Sequence, residues 1–120
     1  MYRVMCKSKI HQAKVTAKNL HYEGSIGIDG ELMEQADIMP GELLQVVNLR
    51  NGQRFESYAI PEEKGSGTVC LNGGTARLGE VGDEILVLSY ALVSDEDARG
   101  LPLKLVFVDE NNRIVSVKRK

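Results

Sequence analysis

Met39-Pro40-Gly41-Glu42-Leu43-Leu44-Gln45-Val46 is answered 41 residues later by Glu80-Val81-Gly82-Asp83-Glu84-Ile85-Leu86-Val87, each copy reading turn, glycine, acid, strand. Two copies are too few for a solenoid, but they suit a β-barrel built from two similar halves. Just after the first copy, Leu43 to Leu49 and Gln53 to Ile60 flank Asn51-Gly52, the strongest hairpin signal in the chain. On the return strand Arg54, Glu56, Tyr58 and Ile60 share one parity and Phe55, Ser57 and Ala59 the other, although strand bends could still bring Arg54, Ser57 and Tyr58 to a common pocket.

Upstream, Arg3 to Lys18 reads as strands with Lys9 and His11 on one face. Asp29 is a good N-cap for a short amphipathic helix over Gly30 to Ala36. Downstream, Pro61 to Gly67 is a polar loop and Thr68 to Leu71 a strand. The small residues Asn72-Gly73-Gly74-Thr75-Ala76 follow; they either bring backbone N–H groups close to an anion or carbonyl or form only a flexible turn. Glu84 to Val93 is a long apolar strand, Ser94 caps one or two helical turns, and Leu103 to Val108 with Ile114 to Val117 makes a closing hairpin. Many short strands, few helices and no βαβ rhythm predict one mostly β domain over residues 1–120, closed because closure removes exposed edges.

With 42% hydrophobic and 27% charged residues the composition is that of a soluble globular protein, and no apolar run approaches the ~20 residues that span a bilayer. The first residues lack the apolar core of a signal peptide, so a cytoplasmic location is expected, with no membrane association. Net charge is −2 and the basic residues are scattered apart from Lys118-Arg119-Lys120, which argues against nucleic acid as a partner. Cys6 and Cys70 have no Cys-x-x-Cys spacing and are assigned no redox role. His11 and His21 are the only histidines, and no second ligand stands at metal spacing, so no metal is expected.

The chemistry is expected at His21-Tyr22-Glu23-Gly24-Ser25. A glycine before a serine is the minimum a chain needs to cut itself. Gly24 has no Cβ, so its carbonyl can be strained and closely approached, and the Ser25 hydroxyl stands one residue on as the attacking group. Composition alone accounts for about one Gly-Ser pair, and Gly65-Ser66 is a second; what singles out Gly24-Ser25 is its company.

That company is Lys9-Ile10-His11, Asn51-Gly52-Gln53-Arg54-Phe55-Glu56-Ser57-Tyr58-Ala59-Ile60 and Asn72-Gly73. With the Gly24-Ser25 stretch it closely resembles the aspartate 1-decarboxylases, the small pyruvoyl-dependent enzymes of bacterial pantothenate and coenzyme A synthesis, in order and spacing over nearly the whole chain. The resemblance implies a six-stranded double-psi β-barrel with short helices, assembled as a homotetramer with active sites between subunits. It implies an inactive precursor in which Ser25 attacks the Gly24 carbonyl and the chain parts into 1–24 and 25–120. Residue 25 is left as a covalently bound pyruvoyl group, with no metal and no pyridoxal phosphate. The pyruvoyl ketone would form a Schiff base with L-aspartate, carbon dioxide would leave, and β-alanine would be released.

By the same resemblance Tyr58 is the proton donor. Arg54 and Lys9 bind substrate carboxylates, Arg54 bidentately and Lys9 as a point charge from a neighbouring subunit. Ser57 matches a position that is usually threonine and assists cleavage; here the hydroxyl is kept and the stiffening β-branch lost. Gly73-Gly74-Thr75 match the backbone substrate-binding turn after Asn72, although the family more often has alanines at the last two positions. His11 and Tyr22 line the pocket. The rival readings are a self-cleaving chain that stops at a serine, and a non-enzymatic β-barrel that binds or interacts but never cuts.

Overall fold

The computed structural model describes all 120 residues, Met1–Lys120. The chain is mostly β: β1 (Tyr2–Lys14), β2 (Ala17–Asn19), β3 (Ser25–Asp29), α1 (Gly30–Gln35), β4 (Leu43–Asn48), β5 (Arg54–Glu62), β6 (Val69–Asn72), a 3₁₀ turn (Gly73–Arg77), β7 (Glu84–Ser94), α2 (Asp95–Gly100), β8 (Lys104–Val108) and β9 (Ile114–Arg119). Neither helix, at six residues, is long enough to cross a membrane. The strands run in the order β2-β6-β3-β5-β4-β7-β1-β8-β9. β2, at one end of that order, is the direct continuation of β1 near the other.

Two register shifts bend β1 against β7, the second at Gln12, whose φ is +61°. Beyond that bulge the chain keeps two more pairs with β7, Ala13 with Ile85 and Lys14 with Glu84. It then turns to β6, with the Thr16 amide donating to the Val69 carbonyl at 2.8 Å and Ala17 paired with Cys70. A bulge re-aims a strand in this way because the extra residue breaks the ladder and increases twist.

The repeated stretches meet each other. β4 and β7 run antiparallel with Val46 opposite Val87, residues at equivalent places in the two copies. An antiparallel pair with equivalent residues opposed is what a local two-fold axis produces. The turns match in detail. Gly41 and Gly82 both have positive φ, +85° and +96°. Met39 N–H donates to the Glu42 carboxylate at 3.2 Å, as Glu80 N–H does to Asp83 at 2.8 Å. Gly41 N–H donates to the Ala59 carbonyl and Ala59 N–H to that of Glu42, while Gly82 and Asp83 make the same exchange with Val15. After β3 comes α1 and after β6 the 3₁₀ turn, so each half runs strand, helical turn, glycine turn, strand.

Seventeen buried apolar residues form the core, with Ile26, Ile28, Leu44, Val46, Leu71, Ile85 and Val87 among them. All of β3 is buried, because it is hydrogen-bonded between β5 and β6 and covered on both faces. The expected hairpin is present, and Asp29 caps α1 by accepting from Glu31 N–H at 2.9 Å. One expectation changes. The strand read as ending at Ile60 runs on through Pro61 to Glu62, paired with β3. Proline fits there because Ala59 N–H points towards the β4 side, and β4 has ended by position 61, so the missing donor costs no ladder bond. Lys118 and Arg119 close β9 and are exposed, with Lys118 Nζ 5.3 Å from the centre of the Phe107 ring.

Candidate active site

Ser25 opens β3 and lies opposite Asn72 at the end of β6. Its side chain is enclosed, with 1% of the residue exposed. Asn72 Nδ2 donates to Ser25 Oγ at 2.9 Å, and Asn72 Oδ1 accepts from the Cys70 thiol at 3.2 Å. Thr75, inside the 3₁₀ turn, donates through Oγ1 to the Asn72 carbonyl at 2.8 Å and stands 3.4 Å from the Ser25 carbonyl oxygen. Burial, with Glu62 nearby as a smaller cause, pushes the Cys70 thiol above its ordinary pKa, so it is protonated at neutral pH and able to donate.

Strain sits at the serine. Ser25 has φ +155°, a region that L-residues avoid at a cost of about 1–3 kcal/mol. The peptide bond preceding this strained residue is Gly24–Ser25. Gly24 itself has no positive φ, and a Cβ built on it would meet nothing within 4 Å. The positive φ at the scissile bond thus falls on Ser25 and not on Gly24. The glycine under steric compulsion is Gly73, with φ +62°, where a Cβ would lie 2.9 Å from Gly24 Cα, 3.0 Å from Gly24 N and 3.1 Å from the Tyr22 carbonyl oxygen. The 3₁₀ turn thus presses bare backbone against the segment leading into Ser25. On the far side of that segment, Asn19 accepts from Tyr22 N–H at 3.3 Å and from His21 N–H at 3.2 Å.

The remaining sequence candidates are placed differently. β3 and β5 are parallel with Ile26 beside Ala59, so Tyr58 stands one step back, beside Ser25, with 41% of its surface exposed. The parity reading of β5 holds, since Arg54, Glu56 and Tyr58 are exposed while Phe55, Ser57 and Ala59 turn inward. Arg54 donates to Gln45 Oε1 at 2.6 Å, and Tyr90 donates to the same oxygen at 3.0 Å. Ser57 pairs with Leu44, Gly74 is exposed, and Tyr22 is 51% exposed. Lys9 and His11 lie on β1, beyond β5, β4 and β7 from β3; His11 packs edge-on against Phe107 at 5.4 Å, with Nδ1 buried and unpaired. One chain therefore gathers Gly24, Ser25, Asn72, Gly73 and Thr75, with Tyr58 alongside, and leaves Lys9 and His11 elsewhere. Cys70 is the residue that sequence reasoning missed; its i, i+2 relation to Asn72 on one strand face was the available signal.

Fold and site together define a small, mostly β chain organised around one enclosed, strained serine with an amide donor on its hydroxyl oxygen. The family model described as aspartate decarboxylase matches residues 1–115, and the chain belongs to that family. It is 56% identical over 117 residues to the aspartate 1-decarboxylase of Thermoanaerobacter pseudethanolicus, covering 98% of this chain and 100% of that one. To the aspartate 1-decarboxylase of Desulfitobacterium hafniense it is 55% identical over 117 residues, 98% of this chain and 92% of that one. To that of Carboxydothermus hydrogenoformans it is 49% identical over 120 residues, 100% and 94% of the respective chains.

Proposed function

We propose that the protein cleaves itself between Gly24 and Ser25 and, with the pyruvoyl group so formed, decarboxylates L-aspartate to β-alanine and carbon dioxide for pantothenate and coenzyme A synthesis in the cytoplasm. The observation that carries the reading is the enclosed Ser25 Oγ, held by Asn72 at 2.9 Å on the residue whose φ is +155°. Membership of the aspartate decarboxylase family points the same way.

In the cleavage, Ser25 Oγ adds to the Gly24 carbonyl carbon and the amide nitrogen leaves with the hydroxyl proton, which turns the peptide into an ester. Loss of the Cα proton of residue 25 expels the Gly24 carboxylate and leaves dehydroalanine. Water then replaces its nitrogen, ammonia departs, and a ketone remains. The residues present fit the formation of such a group, because the Asn72 amide donates at the attacking Ser25 Oγ and the Thr75 hydroxyl stands beside the Ser25 carbonyl oxygen, which the pyruvoyl group would keep. When formed, the pyruvoyl ketone supplies the electron-accepting carbonyl that amino-acid decarboxylation needs and that ordinary side chains lack.

Around it, Tyr58 is the proton donor, supported by its register beside Ser25. Arg54 receives a substrate carboxylate in the place of Gln45, its present partner, and Lys9 from a second copy supplies the other charge. Ser57 assists cleavage, and the backbone of Gly73, Gly74 and Thr75 cradles the substrate beside Asn72, with His11 and Tyr22 lining the pocket. A six-stranded double-psi barrel is our reading of the architecture. It is supported by β1, near one end of the strand order, continuing into β2 at the other, and by the two-fold pairing at Val46 and Val87.

The test is an intact-mass spectrum under denaturing conditions. Wild type yields chains 1–24 and 25–120, the longer lighter by one ammonia than a serine-started chain, and the preparation releases β-alanine from aspartate. Ser25→Ala folds, stays whole and is inactive. Fragments from Ser25→Ala, or a serine at the start of the long chain, would exclude the pyruvoyl route.

A further inference from the structure

We propose that Cys70 is a positioning residue for self-cleavage: its thiol holds the Asn72 side-chain amide in the orientation that turns NH₂, and not C=O, towards the Ser25 hydroxyl. The inference rests on the reading that Gly24–Ser25 is cut, and it adds a residue and a cause to that step.

The two ends of an asparagine amide are nearly isosteric, so only its hydrogen bonds decide which end faces which neighbour. Asn72 is 4% exposed, which denies it water as an arbiter. Its Nδ2 reaches Ser25 Oγ at 2.9 Å and its Oδ1 faces the Cys70 sulfur at 3.2 Å. Cys70 and Asn72 are two apart on β6 and so share a face. A thiol bearing its proton donates to an oxygen and has nothing comparable to offer an NH₂ group. Reversing the amide would set NH₂ against the thiol proton and would draw the Ser25 proton into a bond to Oδ1.

The orientation matters to the chemistry. While Oγ adds to the Gly24 carbonyl it loses its proton and becomes richer in negative charge. A donor aimed at Oγ stabilises that change, whereas an acceptor there holds the proton back and repels the developing charge. Thr75 fixes the other side of Asn72 by donating to its backbone carbonyl at 2.8 Å. With the main chain pinned, the side-chain torsion is the remaining freedom, and the Cys70 thiol closes it.

The experiment follows cleavage of freshly purified precursor by intact mass in wild type, Cys70→Ser, Cys70→Ala and Cys70→Val. Serine keeps a donor; alanine and valine remove it, and valine keeps the bulk. Loss of one neutral hydrogen bond in this chain slows cleavage about five- to tenfold in the alanine and valine variants, while the serine variant stays within about twofold of wild type. The same substitutions in an uncleavable Ser25→Ala background report thermal stability separately. Cleavage at the wild-type rate without a donor overturns the proposal, as does equal slowing of all three variants in step with lost stability, which would mean that Cys70 only packs. A wild type that never cleaves refutes the underlying reading and this proposal with it.

Discussion

At the scale of single residues, the two glycines flanking the site carry opposite burdens. Gly73 lies with φ +62° and no room for a Cβ against Gly24 and Tyr22, whereas a Cβ on Gly24 touches nothing. Gly73→Ala must therefore push the segment before Ser25 away or distort the 3₁₀ turn, at a cost of about 1–3 kcal/mol, and self-cleavage slows at least tenfold. Gly24→Ala leaves the melting temperature of the uncleaved chain within a few degrees of wild type. Thermal unfolding of both in a Ser25→Ala background, beside intact-mass time courses in the native one, checks the contrast; equal destabilisation by the two would contradict it. The serine was legible in the sequence because a nucleophile must follow a cuttable carbonyl. The division of labour between the glycines was not, because it depends on Gly73 reaching across from another strand. Cys70 was passed over for a related reason, since a thiol in a sequence does not declare which amide it orients.

At the scale of elements, the acid in each turn-glycine-acid-strand copy closes its own turn, and Asp83 is the more heavily engaged of the two. It is 6% exposed and accepts from Arg50 Nε at 2.5 Å and Nη2 at 3.0 Å, from Asn48 Nδ2 at 2.8 Å and from Glu80 N–H at 2.8 Å. The Arg50 guanidinium first, then Asn48 and the Glu80 amide, hold its carboxyl well below the usual carboxylate range. A carboxylate with a depressed folded pKa stabilises fully above its unfolded pKa of about 3.9 and loses that contribution as pH falls towards the folded value. Asp83→Asn is expected to cost about 2 kcal/mol at pH 7, and the gap to wild type should narrow below about pH 4. Denaturant unfolding at several pH values measures this, and a gap constant down to pH 2 would remove Asp83 as the cause. The turns were readable because Gly41 and Gly82 each precede an acid and an apolar strand. The course of β5 through Pro61 was hidden, since proline breaks a ladder only on a side that has a partner, and that the partner strand had ended was not visible in sequence.

At the scale of the whole molecule, what a single chain lacks argues for a second copy. Lys9 and His11 stand on β1, which pairs with β7 and β8 and not with β3. The outer face of β5, β4, β7 and β1 leaves Tyr58, Leu43, Leu92 and Val4 exposed, at 41%, 62%, 70% and 69%. Leu43 pairs with Tyr58 and Val4 with Leu92, and clustered apolar side chains of this kind mark an interaction surface. Assembly in our proposal covers that face and brings Lys9 of one copy to the Ser25 of another, and so active sites belong to pairs of chains. Lys9→Ala and Ser25→Ala are each expected to be nearly inactive alone, the first for want of a carboxylate partner and the second for want of a pyruvoyl group. Co-refolded in equal amounts they form mixed assemblies. A site is whole when a Ser25-bearing chain meets a Lys9-bearing neighbour, which by random pairing restores about a quarter of wild-type β-alanine release. Native mass spectrometry establishes the mixing independently of activity. Mixed oligomers without recovered activity would mean that Lys9 serves the serine of its own chain, and the site would then have to close within one subunit by bending β1 back towards β3.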